Sequence, residues 1–569
     1  MKLTGAQILC ESLLKEGVEV IFGFPGGVLL PLYDTLPQYP QLRHILVRHE
    51  QGAAHAADGY ARATGKVGVC FATSGPGATN LVTGIANAYM DSSPIVAITG
   101  QVARPFIGKD AFQETDITGI TLPITKFNHL VHETSSLART LKEAFHIART
   151  GRPGPVLLDI PRDVFVDQVE FHYPTRVNLP GYKPTLKGHP TQIKKAAEII
   201  NEARQPVLLT GHGIAISEAE KELKHLAETA QIPVVTTLLG IGSFPGNHIL
   251  SYGWLGMHGM ACANMAVENA DVLIAIGMRF DDRATAKVSA FAPHASIIHI
   301  DIDPTEIGKN VRVDVPIVGD AKSVIGALNK QIASNRHVDW LTQLDLWRKE
   351  HPSTDIRDTA SILPQYVIRQ IYEATNGEAI IATGVGQNQM WAAQHYFFDY
   401  PNTFISSGGL GTMGFGLPAS MGAKVGCPDK DVWCIDGDGS LQMTIQEMAT
   451  LVQDKIAVKI AIINNGYLGM VRQWQELFYG RRYVATPLYG PDFVKIAEGY
   501  GIPGLMVTRK EDVMPAIEQA MAEPGPFLID FRVEPEENVY PMVPPGAALT
   551  EIVEEPQKEA AVWPRRSTP

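Results

Sequence analysis

The sequence has few cysteines and none of the spacings that mark a disulfide framework or a zinc site. Five cysteines, Cys10, Cys70, Cys262, Cys427 and Cys434, are scattered through 569 residues without a Cys-x-x-Cys pair. An odd number without regular spacing favours reduced thiols in a cytoplasmic protein over a secreted disulfide scaffold. Because Cys70 and Cys434 fall within apolar strand-like runs, we expect both to pack in the core.

Long apolar runs and clusters of basic residues are also missing. No stretch reaches the roughly 18 apolar residues of a transmembrane helix, and residues 1–17 predict an amphipathic helix capped by Thr4, not a signal peptide. The net charge of -12 and the pI ≈ 5.8 argue against nucleic acid or an anionic membrane as a partner. We therefore expect a soluble, cytoplasmic protein.

The sequence is rich in short apolar runs that alternate with helical patterns, which is typical of α/β domains with parallel sheets. With 569 residues, of which 45% are hydrophobic, about three domains of ~100 to 200 residues can form. Stretches rich in proline, glycine and polar residues at 171–190 and 351–364 separate them. The predicted boundaries are 1–170, 190–350 and 364–533 for three doubly wound parallel-sheet domains, and 534–569 for a C-terminal tail.

In the first domain, each predicted strand ends in a loop of glycine and polar residues. The strands are 20–24, 43–47, 67–73 and 95–99, and the loops are 25–28, 48–51, 74–79 and 100–102. Because parallel strands end at one edge of a sheet, these loops should converge. The third domain has a similar pattern, as in a duplicated fold. The second domain has only a partial dinucleotide fingerprint, GHGIAI, after its first strand, which is weak evidence.

The stretch from residue 437 to 465 predicts both a local fold and a binding site. The predicted elements are a strand at 432–435, an amphipathic helix at 441–452 and a strand at 458–463. This right-handed crossover places Asp438 and Asn465 beyond the carboxyl ends of neighbouring strands, where α/β sheets bind ligands. Their oxygens suit Mg²⁺, and glycine N–H groups at a helix start suit phosphate. An ordinary glycine turn is the alternative from these residues alone.

Glu50 follows the strand at 43–47 in the segment RHEQGAAH. A zinc site is excluded, because His49 and His55 are six residues apart and a His-Glu-x-x-His site needs them four apart. A carboxylate at a helix start is the remaining interpretation from the residues, since the N-terminal end of a helix dipole favours anions.

The spacing 465 − 438 = 27 between the GDG and NN segments resembles the binding motif for thiamine diphosphate (ThDP). Other segments extend this resemblance over nearly the whole chain, to the catalytic large subunit of the FAD-containing, biosynthetic acetohydroxyacid (acetolactate) synthases. These segments are GFPGGV (23–28), AFQETD (111–116), GRPGPVLLDIPRDV (151–164), MRFDDRATAK (278–287), GVGQNQMW (384–391), GGLGTMGFGLP (408–418) and NNGYLGMVRQWQ (464–475). The chain departs from the family at Phe24 and Val28, and bulky Val28 should tighten the pocket near the thiazolium.

The resemblance implies roles around ThDP. It implies that Asp438 and Asn465 bind Mg²⁺ through their side chains and Tyr467 through its carbonyl oxygen. Glu50 would hydrogen-bond N1′ of the aminopyrimidine, Gly411 would contact the 4′-amino group with its backbone, and Met413 would lie beneath the bent cofactor. The other implied contacts of bound cofactors in this part of the chain are Val385, Gln387, Gly437, Gly439 and Ser440.

The resemblance also implies a flavin site and a substrate site. Arg152, Arg279, Asp301 and Asp320 would contact FAD, and Gly211, Met257, His258 and Asp281 are further implied cofactor contacts. Gln113 and Phe112 would lie near the reacting carbon, with Gly27 and Val28 also at the substrate. Arg283 would hold the carboxylate of the second 2-oxoacid, which suits a two-donor guanidinium, and Trp474 would touch its side chain.

The implied reaction joins pyruvate to a second pyruvate or to 2-oxobutyrate with loss of CO₂, on the way to branched-chain amino acids. The implied assembly is a homodimer or a dimer of dimers, with a possible regulatory small subunit. Pyruvate oxidase, which uses FAD for electron transfer, is the main alternative. Glyoxylate carboligase lacks the glutamate found here at Glu50, and a non-catalytic binding subunit would not need Glu50, Asp438 and Asn465 together.

Overall fold

The computed structural model describes residues 1–555 and shows three α/β domains, each built on a six-stranded parallel sheet. The end of the predicted C-terminal tail, residues 556–569, lies outside the described residues. Within residues 1–555, no helix has the length and apolar character needed to cross a membrane.

The first helix of the first domain, α1 (Gly5–Lys15), is capped by Thr4, as predicted. Thr4 and Gln7 form a capping box, in which each side chain accepts the backbone N–H of the other residue. Its strands are β1 (Lys2–Thr4), β2 (Val20–Gly23), β3 (Arg43–Leu46), β4 (Gly68–Ala72), β5 (Ile95–Gln101), β6 (Phe127–Leu130), β7 (Val156–Pro161) and β8 (Gln168–Glu170). Its helices are α1 (Gly5–Lys15), α2 (Leu30–Thr35), α3 (Glu50–Thr64), α4 (Pro76–Asn80), α5 (Val82–Met90), α6 (Ile117–Thr121), α7 (Leu137–Arg149) and α8 (Arg162–Val166). Strands β1 and β8 form a separate antiparallel pair.

The second domain follows a stretch, 171–189, that contains no strand or helix. Its strands are β9 (Pro206–Thr210), β10 (Val234–Thr236), β11 (Ser251–Trp254), β12 (Val272–Ile276), β13 (Ser296–Asp301) and β14 (Val315–Val318). Its helices are α9 (Pro190–Glu202), α10 (Gly213–Ile216), α11 (Glu220–Ala230), α12 (Ala261–Glu268), α13 (Asp282–Thr285), α14 (Ala321–Leu328) and α15 (Val338–Glu350).

The third domain contains the strand pair that flanks the GDG and NN segments. Its strands are β15 (Ile380–Thr383), β16 (Phe404–Ile405), β17 (Val432–Gly437), β18 (Lys459–Asn464), β19 (Gly504–Val507) and β20 (Phe527–Arg532). Its helices are α16 (Pro364–Thr375), α17 (Gln387–His395), α18 (Gly416–Gly426), α19 (Asp438–Leu441), α20 (Met448–Gln453), α21 (Gly469–Phe478), α22 (Phe493–Tyr500) and α23 (Val513–Ala522). Cys70 in β4 and Cys434 in β17 are fully buried in the core, as expected.

The strand orders indicate where each sheet binds ligands. Numbered along the chain within each sheet, the first and third sheets both have the order 2-1-3-4-6-5, which agrees with a duplicated fold. The second sheet has the order 3-2-1-4-5-6 of dinucleotide-binding domains. Ligands bind such sheets where the order reverses. Those points lie between β2 and β4, between β9 and β12, and between β15 and β17.

One predicted element is wrong. Residues 441–452 do not form a single amphipathic helix, because the chain turns after α19, passes through a short 3₁₀ segment (Ile445–Glu447) and enters α20. The break occurs at Thr444, whose hydroxyl donates to the carbonyl of Gly414. Tertiary contacts therefore override the helical spacing.

The segment after β20 folds back over the junction of the second and third domains. The N–H of Val543 donates to the carbonyl of Met257 (2.7 Å), and Gln394 donates to the carbonyl of Tyr540 (3.1 Å). Arg472 donates to the carbonyl of Glu537 (3.0 Å). This part of the predicted tail, up to residue 555, thus packs against both domains.

Candidate functional site

Asp438 and Asn465 lie beyond the carboxyl ends of two adjacent strands, as predicted. β17 ends at Gly437 and β18 at Asn464, and the two strands pair in parallel. The backbone N–H of Asn465 faces the Asp438 carboxylate and partly offsets the rise in its pKa. The two candidate metal ligands therefore meet at one corner of the third sheet.

The Asn465 amide is held in one orientation. Its Nδ2 donates to Oε1 of Gln387 (3.0 Å), and its Oδ1 accepts from the N–H of Tyr467 (3.1 Å). Gln387 is itself held, because its Nε2 donates to Gln473 Oε1 (2.9 Å) and to the Glu537 carbonyl (3.0 Å). The Gln387 side chain therefore orients Asn465.

The Asp438 carboxylate has the properties of a cation ligand. It is 1% exposed, and its Oδ2 has no hydrogen-bond partner among the described residues. Burial raises its pKa to about 7, and the nearby Asp530 carboxylate adds to the rise. An unpaired carboxylate oxygen beside an amide oxygen fits a hard cation such as Mg²⁺, which completes its shell with phosphate and water. Within residues 1–555, no cluster of three or more His, Cys, Asp or Glu side chains is placed to bind a metal without such additional ligands.

The glycine-rich loop that carries Gly411 packs against the metal corner. The N–H of Gly414 donates to Ser440 Oγ (2.9 Å), which ties the loop to α19. A Cβ on Gly439 would lie 3.7 Å from Met413 Cε, so Met413 sits beside the turn expected to hold the diphosphate. Gly411 has a φ of +72° and faces Val385, whose Cγ1 would lie 4.0 Å from a Cβ on Gly411. The structure thus brings together the predicted cofactor contacts of the third domain.

The predicted loops of the first domain also converge. Glu50 begins α3, is 8% exposed and accepts a hydrogen bond from Asn80 Nδ2 (2.9 Å). A Cβ on Gly77 would lie 3.1 Å from Glu50 Oε1, and one on Gly75 would lie 2.9 Å from Gln113 Cβ. Glu50 and Gln113 are therefore joined through the loop at 74–79, whereas the Phe112 side chain is 89% exposed.

Val28 and its glycine neighbours show how the 25–28 loop packs. A Cβ on Gly26 would lie 2.3 Å from Thr73 Cβ, whereas one on Gly27 would meet nothing within 4 Å. Close packing therefore requires glycine at Gly26, and Gly27 is open to a substrate. Val28 packs against Gly100. A Cβ on Gly100 would lie 2.5 Å from Cγ2 of Val28, so the lack of a side chain at Gly100 makes room for Val28.

A cavity of about 830 Å³ collects most of the predicted flavin contacts. It opens at the reversal point of the second sheet, between β9 and β12, and residues of all three domains line it. The predicted residues in its lining are Arg152, Met257, His258, Arg279, Asp281, Arg283, Asp301, Asp320, Val385 and Gly411. Gly211 is not in the lining. It packs beneath it, where a Cβ would lie 2.2 Å from the Gly277 carbonyl oxygen.

The polar groups of this cavity, which we call the flavin cleft after its expected ligand, include a buried atom without a partner among the described residues. Asp301 accepts from the N–H of Asp303, and burial raises the pKa of Asp301 to about 7. Arg152 pairs with Glu306 (2.7 Å) and Asp303 (3.3 Å), while Glu306 Oε2 is buried without a partner. Asp320 is held by Ser217 (2.6 Å) as the cap of α14. A buried carboxylate oxygen that lacks a donor, that of Glu306, fits a hydroxyl-rich ligand, so the cleft suits the ribityl or ribose groups of FAD.

A second cavity, of about 700 Å³, contains the two predicted contacts of the second oxoacid, Arg283 and Trp474. Met257, His258 and Arg283 line both cavities. Among the described residues, the nearest carboxylate to the Arg283 guanidinium is Asp282, at 3.8 Å, and Nη1 donates only to the Met257 sulfur (3.6 Å), so no protein carboxylate pairs closely with this guanidinium. Trp474 packs edge to face on Phe478, with ring centroids 5.5 Å apart.

Comparisons with known proteins agree with this geometry. Three thiamine pyrophosphate enzyme profiles match: the N-terminal TPP binding domain at residues 3–120, the central domain at 193–328 and the C-terminal TPP binding domain at 384–531. The chain is 54% identical over 567 residues to the acetolactate synthase large subunit of Mycobacterium tuberculosis, covering 97% of this chain and 91% of the relative. The chain belongs to the acetolactate synthase large-subunit family.

Two other relatives extend this family assignment. The acetolactate synthase large subunit of Corynebacterium glutamicum is 50% identical over 563 residues (97% of this chain, 90% of the relative). The acetolactate synthase of Arthrospira platensis is 49% identical over 562 residues (96% of each). With two TPP binding domains matched, the chain is a ThDP-dependent enzyme of the acetolactate synthase type.

One buried group beside Glu50 was missed from the sequence. Glu447 of the third domain is fully buried, and its carboxylate accepts the N–H groups of Arg48 and His49, each at 3.0 Å, and the Thr450 hydroxyl at 2.8 Å. It therefore holds the two residues that lead into α3, the helix that Glu50 begins and His49 caps. A glutamate about 400 residues away in the sequence carries no local signal of this contact.

Replacing Glu447 should change the pH dependence of stability. Burial raises the pKa of Glu447 from 4.5 to about 7, so the folded protein binds more protons than the unfolded chain between these values. The contribution of protonated Glu447 to the free energy of unfolding is fully present below pH ~4.5 and is lost as the pH rises through ~7. At ~1.4 kcal/mol per pKa unit, this loss is about 3 kcal/mol at most.

Glu447→Gln keeps an acceptor for the two N–H groups and removes the charge. Its thermal midpoint should therefore rise relative to wild type as pH increases from 5 to 8. The exposed Glu198→Gln is the matched control, with no relative change expected. Parallel midpoint curves for wild type and Glu447→Gln would contradict a raised pKa.

Proposed function

We propose that the chain is the catalytic subunit of an acetolactate synthase that condenses pyruvate with pyruvate or 2-oxobutyrate and releases CO₂. The family assignment and the joint placement of Asp438, Asn465, Gly411 and Met413 at one corner of the third sheet support this. Bound ThDP supplies the carbon nucleophile and the electron sink for decarboxylation. The product would enter branched-chain amino acid biosynthesis.

We propose that the residues of the chain bind and orient the cofactors and the substrate, and that they move protons. Asp438, Asn465 and the Tyr467 carbonyl would hold Mg²⁺ against the diphosphate, with Gly437, Gly439 and Ser440 next to it. Glu50, buried at the start of α3, would hydrogen-bond N1′ of the pyrimidine. Gln113 and Phe112 would close the reacting end.

We propose that FAD occupies the flavin cleft and that the reaction involves no net electron transfer to or from it. The 3-2-1-4-5-6 strand order and the unpaired Glu306 Oε2 atom of the cleft support its presence. Arg283 would bind the carboxylate of the second 2-oxoacid from the adjoining cavity. We propose a cytoplasmic location with reduced thiols, in which a regulatory small subunit could join the catalytic chains.

The test of the proposed function is product identity. Purified protein is incubated with pyruvate, ThDP, Mg²⁺ and FAD under anaerobic conditions without an electron acceptor, and the product is identified. We expect 2-acetolactate. Consumption of pyruvate only when an acceptor is added would favour the alternative, a pyruvate oxidase-like enzyme.

We propose a homodimer, or a dimer of dimers, in which Glu50 of one chain and Asp438 of another serve the same cofactor. Neither cavity, of about 830 or 700 Å³, includes Glu50, Gln113 or the loops at 25–28 and 74–79. Around Phe112, the side chains of Phe106, Ile120 and Leu122 are also largely exposed, as expected for a surface covered by a second copy.

Mixing two inactive variants tests this shared site. A Glu50→Gln chain and an Asp438→Ala chain should recover part of the wild-type activity after subunit exchange, because some sites then combine two intact halves. Exchange is monitored with differently labelled chains. Absence of recovery after proven exchange would place both residues in one chain's site.

Trp474→Leu should change substrate preference. Trp474 lines the cavity that contains Arg283, and 2-oxobutyrate exceeds pyruvate by one methylene, which an apolar contact can distinguish by ~10- to 200-fold. We expect the preference for 2-oxobutyrate in mixed-substrate competition to fall roughly tenfold or more, with synthesis from pyruvate alone largely kept. Herbicides that plug this channel in the family should also bind more weakly. Trp347→Leu, which removes an indole packed on Trp340, is the matched control.

A further inference from the structure

The three domains meet at one buried residue, Asp91. Asp91 ends helix α5 and is 2% exposed. Its Oδ2 accepts from Arg62 Nη2 (2.8 Å) and from the N–H of Gly408 (3.1 Å), and its Oδ1 accepts from the N–H of Gly409 (2.6 Å). Its carbonyl oxygen lies 3.2 Å from Nδ1 of His212. One residue of the first domain thus contacts the second and the third.

Arg62 holds this carboxylate in place. Its Nε donates to Asp58 Oδ1 (2.7 Å) and its Nη1 to the Ser406 carbonyl (2.7 Å), so the guanidinium bridges α3 and the third domain. Burial alone would lower the pKa of Arg62, and the carboxylates of Asp58 and Asp91 more than reverse this and raise it. If the Arg62 guanidinium moved away from Asp58 and Asp91, it would leave buried charges without partners, which is strongly unfavourable.

The loop anchored by Asp91 carries Gly411. Asp91 binds the loop before Gly411, through Gly408 and Gly409. Asn87 binds both of its sides, because its Oδ1 accepts from the hydroxyls of Ser407 (2.5 Å) and Thr412 (3.2 Å). The first domain therefore fixes the loop on each side of the glycine that the family resemblance places against ThDP.

The turn at Gly408 and Gly409, which Asp91 binds, also forms part of the wall of the flavin cleft. Asp91, His212, Arg279 and Gly409 all line that cavity. A Cβ on Gly409 would lie 2.7 Å from Asp91 Oδ1 and 3.2 Å from Arg279 Nη2, so the turn is closely packed between the anchor and the cleft. A ligand that orders the cleft wall would therefore also restrict the turn.

We propose that Asp91 is a positioning residue that sets the place of Gly411 in the ThDP site and couples it to occupancy of the flavin cleft. The inference rests on the proposed function for the identity of the two ligands. Each ThDP site would then depend on the first domains of two subunits. The chain that supplies Gly411 acts through Asp91, and the partner subunit acts through its Glu50.

The test compares wild type with Asp91→Asn by two measurements that need no turnover. The first is amide hydrogen exchange in residues 406–413, and the second is ThDP affinity with and without FAD. In the wild type, FAD should slow exchange in this loop and tighten ThDP binding. In the variant, exchange should rise roughly tenfold and the effect of FAD on ThDP affinity should disappear, while FAD still binds.

Three further variants make the outcome decisive. Asp163→Asn removes a carboxylate that pairs with Arg104 (2.7 Å) in the same domain and should change neither measurement. Gly409→Ala would push the turn off Asp91 with the Arg62–Asp91 pair intact, and it should reproduce the Asp91→Asn result even if that variant fails to fold. The double variant Arg62→Gln/Asp91→Asn removes both charges and should keep the loop loose.

Two results would overturn the proposal. One is unchanged loop exchange and unchanged coupling in both Asp91→Asn and Gly409→Ala. The other is full recovery in the double variant, which would reduce Asp91 to a counter-charge for Arg62. Failure of the proposed function would appear instead as absence of 2-acetolactate from the wild type, whatever the loop measurements show.

Discussion

Glu50→Gln should reduce acetolactate formation by ~10²- to 10⁴-fold, the usual contribution of a positioned acid or base. The glutamine amide cannot exchange a proton with N1′ of the pyrimidine, although it has nearly the shape of glutamate. Its Oε1 can still accept the hydrogen bond from Asn80 Nδ2, which is 2.9 Å long in the wild type. Fold and ThDP affinity should therefore stay near wild-type values, so the loss belongs to the chemical step.

The rate of deuterium exchange at C2 of bound ThDP measures this step directly. It should fall with the activity in Glu50→Gln. Glu19→Gln is the matched control in the same domain, since Glu19 is an exposed partner of Lys66 and should leave both rates unchanged. Wild-type exchange at C2 in Glu50→Gln would show that Glu50 is misassigned.

The strands and their ligand-binding ends could be predicted because the information is local. A buried parallel strand is a continuous apolar run, and the residue after it lies at the edge where ligands bind. The predicted strands at 432–435 and 458–463 fall on β17 and β18, and Asp438 and Asn465 follow them as expected. Spacing along one strand–helix–strand unit was enough to bring these two residues together.

Contacts between distant parts of the chain could not be predicted in this way. Glu447 binds the backbone just before α3 from 398 residues away, and Asp91 binds Gly408 across 317 residues. The one partner of Glu447 at helical spacing, Thr450, does not indicate a contact with α3, so neither acid could be told from an ordinary surface acid in the sequence. The predicted helix at 441–452 failed for the same reason, because its turn at Thr444 depends on Gly414.

The second domain shows how a weak local pattern gains meaning from topology. The GHGIAI segment has only part of a dinucleotide fingerprint. In the fold, Gly211 and Gly213 pack directly on Gly277 at the reversal point of the sheet, where any Cβ would collide with backbone. The glycines are thus explained by the close approach of two loops, which the sequence pattern alone could not reveal.

Asp438→Ala should weaken Mg²⁺ and ThDP binding together, because the metal links the diphosphate to the protein. Loss of partners that only orient a metal ligand costs about 10- to 100-fold in affinity, so loss of a ligand itself should cost at least as much. Titration of ThDP at fixed Mg²⁺, and of Mg²⁺ at fixed ThDP, measures both effects. Asp431→Ala, at the exposed beginning of the same strand, is the matched control.

The stability of the cofactor-free protein separates lost binding from unfolding in this experiment. Asp438 Oδ2 has no protein partner among the described residues, and burial raises the pKa of this carboxyl to about 7. Alanine therefore removes a buried carboxylate that the backbone N–H groups of Asp438 and Asn465 stabilise only in part, and the thermal midpoint without cofactors should change little. The wild type should gain stability when Mg²⁺ and ThDP are added, by mass action, and the variant should gain much less. Equal gains in the two proteins would show that the metal is held elsewhere, and the assignment of the GDG and NN segments to the metal site would then be wrong.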